Sequence, residues 1–156
     1  MSKMGIVYLV SVVVANIGFT HLPMIPLPYG GVLAPMSFLV GLVFVFRDYA
    51  QREVGHKVLG FMGGGVLASY ILADPFVALA SAVAFAISEL VDWLIYTVYR
   101  KPLRDRILVS SAVSTPVDSA VFMLMLGFFS WYGLVVMVAS KMVGALVVYY
   151  SLKRRG

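Results

Sequence analysis

Apolar residues along this chain gather into six long runs, separated by short stretches rich in proline, glycine or charge. The runs cover residues 4–20, 32–46, 58–73, 76–99, 107–129 and 131–152. A bilayer core about 30 Å thick is crossed by roughly 20 apolar residues in a helix. Each run is therefore read as a membrane-spanning helix. The second and third are short, and must borrow length from their flanks or fall short of a full span.

The interruptions suit this reading. Pro23, Pro26, Pro28, Gly30, Gly31 and Pro35 crowd the first connection and break helices there. Asp74 and Pro75 part the third run from the fourth, and residues 100–106 form a charged loop. Around Phe129, Ser130 and Trp131 the link is so short that it can only reverse direction. The expected fold is all-α: a single polytopic domain, residues 1–156, of six transmembrane helices.

Charge then orients the helices. Lys3 precedes the first run; Arg47, Arg52 and Lys57 lie between the second and third; Arg100, Lys101, Arg104 and Arg106 lie between the fourth and fifth; Lys153, Arg154 and Arg155 follow the sixth. The other connections carry no basic residue, so 11 of the 12 Lys and Arg fall on one side. The positive-inside rule makes that side cytoplasmic, with both termini on it. The twelfth, Lys141, lies within the sixth run.

Composition agrees. The chain is 62% hydrophobic and only 12% charged, with a mean hydropathy of +0.97. Soluble domains run near 45–50% apolar and about 25% charged. The net charge of +5 sits in short blocks and forms no single basic surface, which argues against a nucleic-acid partner. Without cysteine there is no disulfide framework and no thiol chemistry. The first run is read as a helix that stays in the membrane, not as a cleaved signal, because Asn16 and a proline-rich segment follow it without a small-residue cleavage site. Gly60 and Gly64 have the small-xxx-small spacing of close helix packing.

Polar residues inside the runs carry the candidate chemistry. A charge at mid-bilayer costs several kcal/mol, so such residues face the bundle interior and pair, or they serve function. Glu89 and Asp92 are three apart on one face of the fourth helix, continued by Tyr96. Asp118 shares a face of the fifth helix with Ser111, Ser114 and Phe122, and Lys141 lies near the middle of the sixth. These residues suggest a central polar cavity. Lys141 with Asp118 can equally be an ion pair that locks the bundle, and Asp92 can be hydrated from the cytoplasmic end. Pro116 can kink the fifth helix beside Asp118. Asn16 is a further cavity residue or an interhelical bond. Arg47, Asp48, Arg52 and Glu53 form a solvated loop, a gate or a helix extension, with Asp48 and Arg52 spaced to pair.

Three strings among these residues carry a resemblance: FRDYAQREVG at 46–55, SELVDWLIYTVYRK at 88–101 and SSAVSTPVDSAVF at 110–122, followed by Lys141 and Gly144. They resemble the queuosine precursor transporter family, also called the VUT or YhhQ-like family. The resemblance implies a multi-pass inner-membrane protein that takes up 7-cyano-7-deazaguanine or a related 7-deazaguanine. One carboxylate, Asp118 or Glu89, could accept the ring N–H and the exocyclic amine of such a ligand together. Lys141, or a donor such as Ser114 or Asn16, would face its carbonyl. Phe122 or Tyr96 would stack on its ring, for roughly 1–3 kcal/mol. No cofactor or metal is implied, and a homo-oligomer is compatible with the sequence.

The alternative is a substrate-binding subunit of an energy-coupling-factor type transporter for a small planar metabolite. An intramembrane enzyme is disfavoured, because neither a His-Glu-x-x-His nor a Gly-x-Ser-x-Gly motif is present. His21 and His56 fall at opposite ends of the expected topology. An acid-lined channel is a further class, marked by conductance without saturation.

Overall fold

The computed structural model describes residues 2–155. Its helices are α1 (Lys3–His21), α2 (Ser37–Val54), α3 (Val58–Leu72), α4 (Pro75–Val98), α5 (Leu103–Leu126) and α6 (Trp131–Arg155). Local chemistry sets several ends. Ser2 caps α1 by accepting from the Gly5 amide, and Asp74 caps α4 by accepting from the Phe76 and Val77 amides, with Pro75 at the first helical position. A cap of this kind contributes about 1 kcal/mol. Gly127 ends α5 at φ 76°, a left-handed backbone that glycine adopts without strain.

The structure corrects the expectation of six transmembrane helices. Among the described residues, four helices are long and apolar enough to cross a membrane: α1, α4, α5 and α6. The chain is thus a predominantly helical, polytopic membrane protein with four candidate spans. α3 has 15 residues, fewer than the roughly 20 a full crossing takes. α2 has 18 residues but carries Arg47, Asp48, Arg52 and Glu53 in its second half.

The second run also shifts along the chain. Its first residues, Val32–Leu33, form a strand that pairs antiparallel with Ile25–Pro26, with Ile25 opposite Leu33. Gly30 and Gly31, at φ 80° and 95°, turn this small hairpin, which an all-helical reading does not contain. The helix begins only at Ser37, yet continues through the charged residues to Val54. Apolarity marks where a segment is lipid-compatible; it does not mark where a helix stops once its charges have partners.

Packing places α2 inside. It lies against α1 and α6, while α4 makes its largest contact with α5, and α5 also meets α6. α3 rests mainly on α1, running in the same direction. Gly65 sits against Val12, and Asn16 of α1 donates to Ser69 at 3.2 Å. The Gly60 and Gly64 expectation is met only in part, since Gly64 touches Leu9 but Gly60 faces open space. The tightest approach is between α2 and α6. A Cβ on Gly41 would strike the carbonyl of Lys141, and one on Gly144 would come within 2.9 Å of the Gly41 backbone. Backbones meet there because neither residue has a side chain.

One end of the bundle collects the basic residues. There the Met4 amide donates to Glu53, and the Trp93 indole donates to His56 at 2.9 Å. Arg106 donates to the Tyr99 carbonyl and lies 4.5 Å from the centre of the Tyr96 ring. At the opposite end Thr20 accepts from the Asp74 amide, and Tyr29 meets Tyr132 edge to face.

Candidate functional site

Buried charge in the bundle is organised around Arg47. Its side chain is fully shielded from solvent, as are those of Asp48 and Asp92, and Glu89 is 1% exposed. α2 projects the guanidinium toward α4, where Glu89 and Asp92 lie one turn apart on the facing surface. Nε donates to Glu89 Oε2 at 2.8 Å, and Nη2 donates to the Glu89 carbonyl at 3.3 Å. Nη1 donates to Asp48 Oδ1 at 2.6 Å. It also meets Asp92 Oδ2 at 2.5 Å, an ion pair whose angle falls outside that of a hydrogen bond. α5 closes the far side with hydroxyls. Ser110 Oγ is 3.4 Å from Asp48 Oδ2, and Ser114 Oγ is 3.3 Å from Asp92 Oδ1. From α1, the fully buried Tyr8 hydroxyl lies near Glu89 without a hydrogen-bond partner.

A second buried station adjoins the first. Lys141 of α6 donates to Asp118 Oδ2 at 2.5 Å and to Ser119 Oγ at 2.8 Å. Ser88, next to Glu89, reaches Asp118 Oδ1 from α4 at 3.5 Å. Lys141 can enter the interior because the Gly41–Gly144 contact brings α6 against α2 at that level. The two stations share α4 and α5 and differ in charge balance. Lys141 and Asp118 match one to one, whereas Arg47 faces three carboxylates. In a low-dielectric interior, removing one partner of such a pair costs about 3–5 kcal/mol.

The sequence-derived residues therefore divide. Glu89, Asp92, Asp118, Lys141 and Ser114 come together as one polar core. Arg47 and Asp48 join it, which overturns their reading as a solvated loop; the partner of Asp48 is Arg47, not Arg52. Arg52 and Glu53 are exposed at the basic end. Asn16 makes the interhelical bond to Ser69 and lies outside the core. Tyr96 sits under Arg106. Phe122, one turn beyond Asp118, packs 4.9 Å from the Phe19 ring. Pro116 lies within an unbroken α5, on a groove shared with Leu134 and Val138. The residues expected to line a cavity, Glu89, Asp92, Asp118 and Lys141, are buried against one another, and the hollows along α4 (Leu94, Val98) and α6 (Val143, Val147) are mainly apolar and include none of them.

Sequence reasoning missed Tyr8, Ser110 and Ser119. The serines had a signal, because Ser110 and Ser114 repeat at four residues on α5 and Ser119 directly follows Asp118. Tyr8 had none, being one aromatic in an apolar run.

Comparison with known proteins adds one match. A family model described as "Putative vitamin uptake transporter" covers residues 4–154. No curated protein and no solved structure matches the chain.

Proposed function

The chain belongs to this vitamin uptake transporter family, and from that premise we propose that it imports a queuosine precursor, 7-cyano-7-deazaguanine or a related 7-deazaguanine, across the inner membrane. It acts as a single transport domain with its basic end toward the cytoplasm. The observation that carries this reading is the buried polar core shared by α2, α4, α5 and α6 in an otherwise apolar bundle. A flat heterocycle with a donor–donor–acceptor edge is selected by a few fixed polar groups between helices. Asp118 accepts the ring N–H and the exocyclic amine, and Lys141 turns toward the ligand carbonyl. Phe122 supplies a stacking face one turn away. For the ligand to enter, the Lys141–Asp118 pair exchanges its mutual bond for bonds to the ligand, so binding and opening are linked. Alternating exposure of such a mid-membrane site to the two sides is the general scheme of secondary transport.

Thermal stability of the purified protein with 7-cyano-7-deazaguanine tests the reading, since a ligand that binds the folded state raises apparent stability by mass action. The expected result is a saturable shift, competed by guanine and lost in Asp118→Asn. No shift at high micromolar ligand, with folded protein, would move the substrate to another planar metabolite. Reconstituted vesicles separate autonomous import from import that needs an ATPase partner.

A further inference from the structure

The Arg47 cluster has one cation for three buried acids. If Asp48, Glu89 and Asp92 were all ionised, two negative charges would stay uncompensated beyond the reach of water. Buried groups avoid that by taking up a proton or a cation. Asp48 and Asp92 both lie within 2.6 Å of the same Arg47 nitrogen, and like charges crowded at one site do not both ionise readily. Among the described residues no group of three His, Cys, Asp or Glu is placed to hold a metal ion.

Independent details of the hydrogen bonding call for the same protons. Glu89 Oε1 and the Tyr8 hydroxyl are both shut from water without a hydrogen-bond partner. An ionised carboxylate oxygen buried without a donor is costly, and a proton on Glu89 removes that cost. Ser114 has one hydroxyl proton, and its 2.8 Å contact to the Ser110 carbonyl uses it. The 3.3 Å approach of Asp92 to Ser114 then becomes a bond when Asp92 donates.

We infer that the closed bundle stores two protons at the Arg47 cluster, carried by two of Asp48, Glu89 and Asp92, and that it releases them when the site opens to water. On opening, the O–H bond of each neutral carboxyl breaks with the electron pair staying on oxygen, and the proton passes to water. The groups facing the cluster are Tyr8 from α1, Arg47 and Asp48 from α2, Glu89, Asp92 and Tyr96 from α4, Ser110, Ser114 and Asp118 from α5, with Arg106 behind Tyr96, and Lys141 from α6 through Asp118. Use of the stored protons to drive import rests on the uptake reading; the storage itself does not.

Infrared spectroscopy of the full chain in nanodiscs of ether-linked lipid, which has no ester carbonyl in that region, reads the protonated carboxyl directly. The chain has seven acidic residues. Asp118 is matched by Lys141, Glu53 and Asp74 are exposed, and Asp105 lies 3.6 Å from Arg104 in a part-exposed pair. A carboxylic C=O band at neutral pH therefore belongs to the cluster. The expected result is such a band in the wild type, lost at high pH, weakened in Glu89→Gln or Asp92→Asn and unchanged in Asp118→Asn. The amide bands of the same spectra report folding. A wild type without the band at neutral pH overturns the inference, with no variant needed. Vesicle uptake reads the other question: a band without any deazaguanine uptake sinks the transport reading alone, and uptake without a band sinks the proton store alone.

Discussion

Arg47 shows how far a single residue can depart from its apparent place in a sequence. By hydropathy it ends an apolar run; in the fold it is fully buried and bonded to α4. What the sequence could not show was the partner, because Glu89 and Asp92 lie more than forty residues away. Arg47→Ala should destabilise the protein by about 3–5 kcal/mol, since it leaves three buried carboxyls without their cation. Reversible unfolding in detergent measures this. Arg47→Lys should recover only part of the loss, because an ammonium lacks the planar fork that serves several carboxylates together. The pairing of Lys141 with Asp118, in contrast, was legible, as lone opposite charges in neighbouring apolar helices have few other partners. Lys141→Met should unfold more readily than Lys141→Met combined with Asp118→Asn, because the double variant leaves no unpaired charge. Melting temperatures of both check that order.

Among the elements, α1, α3, α4, α5 and α6 begin and end within about four residues of the apolar runs, and α2 does not. The five are bounded by prolines, caps or tight links that any reading of turn chemistry finds. α2 is bounded by tertiary partners, so its second half was invisible to hydropathy. The glycines teach the same lesson. Spacing singled out Gly60 and Gly64, but the backbone contact that matters joins Gly41 to Gly144 across helices distant in sequence. Gly41→Ala should cost about 1–3 kcal/mol through overpacking, and should weaken ligand binding because it moves Lys141. Gly63→Ala, with nothing near its added methyl, should be neutral or raise stability by up to about 1 kcal/mol through helix propensity. Denaturation of the two variants side by side tests the contrast.

For the whole molecule, charge asymmetry was the most legible property, and the fold gathers those residues at one end. Absence of cysteine makes orientation simple to measure. Tyr29→Cys should react with an impermeant maleimide in intact cells, and Lys101→Cys only after permeabilisation. The reverse pattern would invert the orientation that the basic end implies.

The short α3 bears on the solvent as well as on the protein. At about 1.5 Å of rise per residue, its 15 residues give an apolar flank about 22 Å tall, beside hydrocarbon about 30 Å thick. A flank that short is met by local thinning of the lipid, by snorkelling of its flanking residues or by association with another chain. Where the lipid thins to meet it, longer-chain lipids should press on α3 and, through its contact, on the α1 that carries Tyr8.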